Sequence, residues 1–217
     1  MAPRQAPPPK RLGRPPATDS AETRRRILDI ARASFSTAGY DLVTNRTLAA
    51  QVGLTAGALY HYFGSKLDLY VAVHDDLQQR IYGRFNVAAD AADGFVGKFE
   101  AVLDTARLMN DEDPTLAAFL GAVRSDMRRH PEIHEQLREH SDRRDEFFVR
   151  LVDAGVASGE IAGRHRALVI EFVAMVLVGL TDGVSDNPRR HEQATAAIKL
   201  ALRGELISAR KGHRTTN

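Results

Sequence analysis

The run Asn45 to Gly64, NRTLAAQVGLTAGALYHYFG, has the spacing of a helix-turn-helix and constrains this chain more than any other feature. Two short helices that cross steeply need a small residue where their backbones meet and a glycine where the chain turns left-handed between them. Ala49 and Gly53 stand at those positions. Leu48, Val52, Leu54 and Leu59 fall at inward-facing spacings. Thr55 is placed to cap the second helix, its hydroxyl accepting from an amide that would otherwise lack a partner. The stretch TAGALYHY is then a recognition helix: small Ala56, Gly57 and Ala58 come first, followed by Tyr60, His61 and Tyr62. A hairpin inside an all-α core would be apolar on more than one face, whereas a helix slender at its N-terminal end can enter a major groove.

Charge supports a nucleic-acid partner. From Met1 to Lys66 there are ten Lys or Arg and four acids, a net of +6, so a chain total of +2 leaves −4 for the remainder. A cationic end of this kind is the footprint of a phosphate binder. The chain has 217 residues, enough to bury a sizeable core. It has no cysteine, which removes disulfides, thiolate metal sites and thiol nucleophiles together. No apolar signal region opens it. The most apolar stretch, Ala167 to Leu180, is too short to span a bilayer and contains Glu171. The expectation is a soluble cytoplasmic protein.

Periodicity divides the chain. Residues 1–18 form a basic, Pro-rich tail, 19–66 a helix-turn-helix domain, 67–210 a helical effector-binding and dimerisation domain, and 211–217 a second tail. Asp19 with Glu22 reads as a capping box for a first helix ending at Gly39, and Ser65 with Asp68 as a second pair opening a long helix carrying Tyr70, Val73, Leu77, Ile81 and Phe85. Beyond Asp90 every periodic segment is helical. One helix carries Phe95, Phe99, Val102, Leu103 and Ala106. The next, begun by Pro114, carries Leu116, Phe119, Leu120, Val123 and Met127, and a third is expected from about Pro131 to Ser158. Ala167–Leu180 is apolar almost all round, and a last helix is expected near Gln193–Ile207; both suit a buried subunit interface.

The run VTNRTLAAQVGLTAGALYHYFGSKLDLY, within Thr23 to Val73, resembles the tetracycline-repressor (TetR) family of one-component transcriptional regulators. Over the C-terminal two thirds the resemblance is architectural only. It implies an all-α homodimer on a palindromic double-stranded DNA operator. The first three helices would form the DNA-binding domain and the fourth a link, the next three would enclose an effector cavity, and the last two would build a four-helix dimer bundle. By matching position, Thr44, Asn45 and Arg46 are implied as phosphate or base-edge contacts, Thr55 to Ala58, Tyr60, His61 and Tyr62 as the groove-facing set, and Lys66 as a phosphate contact. Ala58 departs from the Thr or Ser of many members, so a methyl contact with thymine replaces hydrogen-bonded readout there. The tail segment Lys10 to Pro16 reads as either a minor-groove arm or a solubilising extension.

A hydrophobic small-molecule effector is the expected second partner, with Phe85, Phe99, Leu103, Phe119, Leu120, Val123, Met127, Phe148, Leu151 and Met175 as candidate lining and Arg124 or Arg150 as an anchor for an anionic group. Acyl, aromatic and steroid-like molecules all fit such a lining. Two alternatives compete with a ligand-relieved repressor: a ligand-independent architectural DNA-binding dimer, and a helical metal-dependent phosphohydrolase built on His74 and Asp75. The histidines that could complete a metal site, His130, His134 and His140, sit in the charged run RRHPEIHEQLREH, which reads as a solvated face. No enzyme, cofactor or metal site is therefore expected.

Overall fold

Wherever apolar residues recur every three or four positions, the computed structural model is helical; it describes residues 17–138, 142–184 and 188–207, among which there is no strand. In chain order the helices are α1 (Ala17–Leu42), α2 (Asn45–Val52), α3 (Ala56–Tyr62), α4 (Lys66–Asp90), α5 (Gly94–Glu112), α6 (Thr115–Arg129), α7 (Pro131–Arg138), α8 (Asp142–Ala157), α9 (Arg166–Val184) and α10 (Pro188–Leu202), with a 3₁₀ turn at Gly163–His165 before α9. No helix among the described residues is long and apolar enough to cross a membrane.

Local chemistry sets the short helices. Thr47 N donates to Thr44 Oγ1 and Thr44 N to Thr47 Oγ1, a reciprocal box that opens α2. At its far end Gly53, at φ +78°, donates to Ala50 O while Leu54 donates to Ala49 O, closing the helix with two bonds only a left-handed residue permits. Ala58 N donates to Thr55 Oγ1 to open α3, and Asp68 N to Ser65 Oγ to open α4.

Several boundaries differ from expectation. Helix α1 is described from Ala17, so Asp19 lies inside it and not before its first turn; Gly39, at φ +73° and ψ 174°, breaks the helix where expected. Of the single helix expected over 131–158, the described parts are α7 and α8, and the positions 139–141 between them lie outside the described residues. Helix α10 starts and ends about five residues early. It stops because Gly204 turns left-handed and the amides of Gly204 and Glu205 bond back to Ala201 and Leu200.

The N-terminal three helices do not stand apart from the rest. Helix α1 lies along α6 and α4, and Phe35 stacks edge-on against Tyr70 at 4.8 Å, which in turn packs on Phe119 at 5.3 Å. Arg32, only 6% exposed, crosses from α1 to Asp113 at 2.6 Å and to Thr115 at 3.1 Å. The N-terminal three helices are thus seated on α4 and α6.

Candidate nucleic-acid interface and ligand cavity

Helix α3 is held from beneath by Leu59 and Phe63, both buried with Leu48, Ala49 and Val52 of α2, and this leaves its other face to solvent. Tyr60 is 51% exposed and His61 is exposed; Gly57 is exposed between half-buried Ala56 and Ala58, with Tyr62 half-buried at the helix end. Thr44, Arg46 and Thr55 are exposed and Asn45 half-buried. Neither α2 nor α3 contains an acid, and exposed Arg24, Arg25 and Arg26 rise from α1 beside them. Arg26 donates to the Val52 carbonyl at 2.7 Å and Arg24 lies over the Phe63 ring at 5.2 Å. The surface is cationic and slender enough at α3 for a backbone to approach it closely.

Lys66 is placed differently from the expected phosphate contact. Its ammonium donates to the Tyr40 carbonyl at 2.9 Å and sits 4.0 Å from the centre of the Tyr40 ring, so it joins the end of α1 to the start of α4. The tail segment 10–16 lies outside the described residues.

A cavity of about 210 Å³ opens between α4, α5, α6, α8, α9 and α10. Of the candidate lining, Phe85, Leu120, Val123, Met127 and Phe148 border it. The other five do not. Phe99 and Leu103 turn into the core of α5, with Phe99 against Phe95 and Phe172. Phe119 faces Phe35 and Tyr70, Leu151 is buried away from the cavity, and Met175 is 71% exposed on the outer side of α9. Arg124 borders the cavity, whereas Arg150 pairs with Asn86 and Asp90 on the surface.

Sequence reasoning missed the polar part of this wall. His74 and Gln78, hydrogen-bonded at 3.1 Å, reach the cavity from α4, Asn110 from α5, Thr181 from α9 and His191 from α10. Their signal was a four-residue spacing: Tyr70, His74, Gln78 and Tyr82 form one inward stripe of α4. It also missed Asp126, which is 0% exposed and accepts from Tyr70 Oη, Tyr40 N and Arg129. Asp126 lies three residues after Val123 and seven after Phe119, on the inward face of α6, where a charge pattern reads as solvated. No cluster of three or more His, Asp or Glu side chains suited to a metal occurs among the described residues.

Against known proteins, residues 27–73 match the model of the bacterial regulatory proteins, tetR family. The HTH-type transcriptional repressor AcnR of Corynebacterium jeikeium is 34% identical over 87 residues, 40% of this chain and 43% of that protein, so the match spans less than half of that relative. The HTH-type transcriptional regulator SrpR of Pseudomonas putida is 25% identical over 193 residues, 88% of this chain and 87% of that one. Among solved structures, the transcriptional regulator FadR from Bacillus subtilis in complex with stearoyl-CoA superposes with a TM-score of 0.74 at 17% identity, covering 84% of this chain and 99% of that one. This last likeness is one of fold.

Proposed function

We propose that the chain, whose residues 27–73 match the model of the bacterial regulatory proteins, tetR family, is a transcriptional repressor of that kind, which binds a palindromic operator as a homodimer and leaves it when a small molecule fills the cavity. The observation that carries this reading is the pairing of a solvent-facing α3 with a largely apolar cavity whose walls include α4 and α6, the helices on which the N-terminal domain is seated. Helix α4 begins beside α3 and lines the cavity through His74, Gln78 and Phe85. Helix α6 lines it through Leu120, Val123 and Met127 and holds the α1 end through Asp126. Two rigid elements therefore connect the sites, and a ligand that prefers one seating of them shifts the other. An architectural DNA binder has no use for such a cavity.

The dimer rests on α9. Leu168, Phe172, Met175 and Val178 form an exposed apolar stripe at helical spacing, which a second copy of the same face would cover. One α3 reads too few base pairs for useful specificity, and two related by a dyad read an inverted repeat with half-sites roughly 34–36 Å apart. The likeness to FadR, whose structure holds stearoyl-CoA, supports ligand control, but a cavity of about 210 Å³ takes a far smaller molecule. Selection from random-sequence DNA followed by footprinting tests the reading: the expected result is an inverted repeat protected by a dimer. An asymmetric site protected by a monomer would overturn it.

A further inference from the structure

Three consecutive arginines, Arg24 to Arg26, lie on α1 beside the helix-turn-helix, where a run of positive charge reads first as a patch for phosphate. Two of them are held by the protein itself. Arg26 Nη2 donates to the Val52 carbonyl at 2.7 Å, and the Arg24 guanidinium lies 5.2 Å from the centre of the Phe63 ring. Val52 is the last residue of α2 and Phe63 the residue that follows α3. The pair therefore grips the reading unit at the turn that enters α3 and at the point where the chain leaves it.

The Val52 carbonyl occupies a sensitive place. It belongs to the peptide unit whose amide is that of Gly53, the left-handed residue at φ +78° on which the chain pivots between the two helices. That amide donates to Ala50 O at 3.2 Å, and with Arg26 on the carbonyl both ends of the planar unit are fixed. The orientation of this plane sets the direction in which the chain departs from α2, and hence the seat of α3. Helix α2 has no basic residue in its own last turn, so the cation that meets its partly negative end comes from α1. A guanidinium donating to a carbonyl makes a charge-assisted bond, stronger than a neutral one, and a guanidinium over a ring is attracted by the ring quadrupole. Helix α3 needs this support: it has seven residues, roughly 10 Å of helix, and rests on the core through Leu59.

Resting on the reading of α3 as the DNA-contacting helix, we propose that Arg24 and Arg26 are positioning residues, which act on DNA recognition through the seat of α3 and make no contact with phosphate. The operator selected from random-sequence DNA and an unrelated duplex of the same length are titrated with the full-length protein by fluorescence anisotropy over a range of salt. Arg26→Ala and Arg24→Ala are each expected to lower the ratio of operator to unrelated affinity at least tenfold, with the slope of log affinity against log salt unchanged. Arg26→Lys, which retains a donor for the Val52 carbonyl, should restore most of the ratio. Phe63→Leu should reproduce Arg24→Ala, and combining the two should add little, because each removes the same contact. A slope that falls by about 1 per half-site in either alanine variant makes that arginine a phosphate contact and overturns the proposal. A normal ratio in the folded variants, even with lowered stability, leaves a purely structural role and also overturns it. Should Arg26→Ala not fold, Arg24→Ala carries the same test. Unaltered protein with no preference for any sequence overturns the DNA-reading role of α3 and this proposal with it, whereas a changed slope overturns the proposal alone.

Discussion

The hydroxyl of Tyr70 on α4 donates to Asp126 Oδ2 on α6 at 2.8 Å, and both residues are shut off from solvent. The same oxygen accepts from the Tyr40 amide at 3.1 Å, so one carboxylate joins α1, α4 and α6. Removing it orphans two buried donors at once. Asp126→Ala should cost about 3 kcal/mol and Tyr70→Phe about 1 kcal/mol in urea unfolding. The double variant should cost clearly less than the sum; strict additivity would show that the two groups do not interact.

The same junction makes the fold sensitive to alkali. Burial, and then the hydrogen bond to Asp126, push the Tyr70 hydroxyl far above its ordinary value of 10.0; burial likewise raises Tyr82 and Tyr40. A tyrosine with a raised folded-state pKa contributes stability that is complete below the unfolded value and lost as pH climbs past it, because the unfolded chain then gives up the proton first. Unfolding free energy should therefore fall above about pH 10, and in Tyr70→Phe the fall should be shallower by about 1.4 kcal/mol per pH unit, one proton's share. Parallel curves for the two proteins would place the titration elsewhere.

On the proposed DNA-reading face, the exposed positions are expected to divide by role. Arg46→Ala should weaken all sequences alike and reduce the slope of log affinity against log salt by about 1. His61→Ala should change base preference at one position per half-site, by about 1–3 kcal/mol. Identical effects of the two on salt slope and sequence preference would remove the distinction between phosphate and base contact.

Phe172→Asp or Met175→Glu, each placing a charge on the exposed stripe of α9, should yield folded monomers. Light scattering after size exclusion measures this, with operator affinity expected to fall at least tenfold because two half-sites no longer act together. An unchanged dimer would locate the interface on another face.

Leu120→Trp fills the cavity from α6 without touching the DNA-reading face. It should mimic an effector and lower operator affinity 5- to 150-fold, the range of ordinary allosteric coupling. Circular dichroism verifies the fold, and normal affinity in a folded dimer would disconnect the cavity from DNA.

Much of the reading head is legible in the chain because its determinants are local. Thr44, Thr55 and Ser65 cap helices within three residues of themselves, and Gly53 needs only its own φ to turn the chain, so neighbouring letters state the outcome. The inward stripes of α4 and α6 follow in the same way from a period of 3.6.

What a stripe faces is a different matter, decided only when helices meet. Phe119 and Leu120 are adjacent in the chain, yet one packs on Phe35 and Tyr70 of the DNA-reading end and the other lines the cavity. Met175 looks like lining by composition and points outward, while Asp126 looks solvated and is among the most buried groups in the molecule. Lys66 reads as a hand for phosphate and rests on Tyr40. Periodicity determines which residues share a face, because that depends on helix geometry alone. Whether the face meets a ring, a cavity or a second copy depends on how helices far apart in the chain cross, and on the desolvation and hydrogen bonding each crossing imposes.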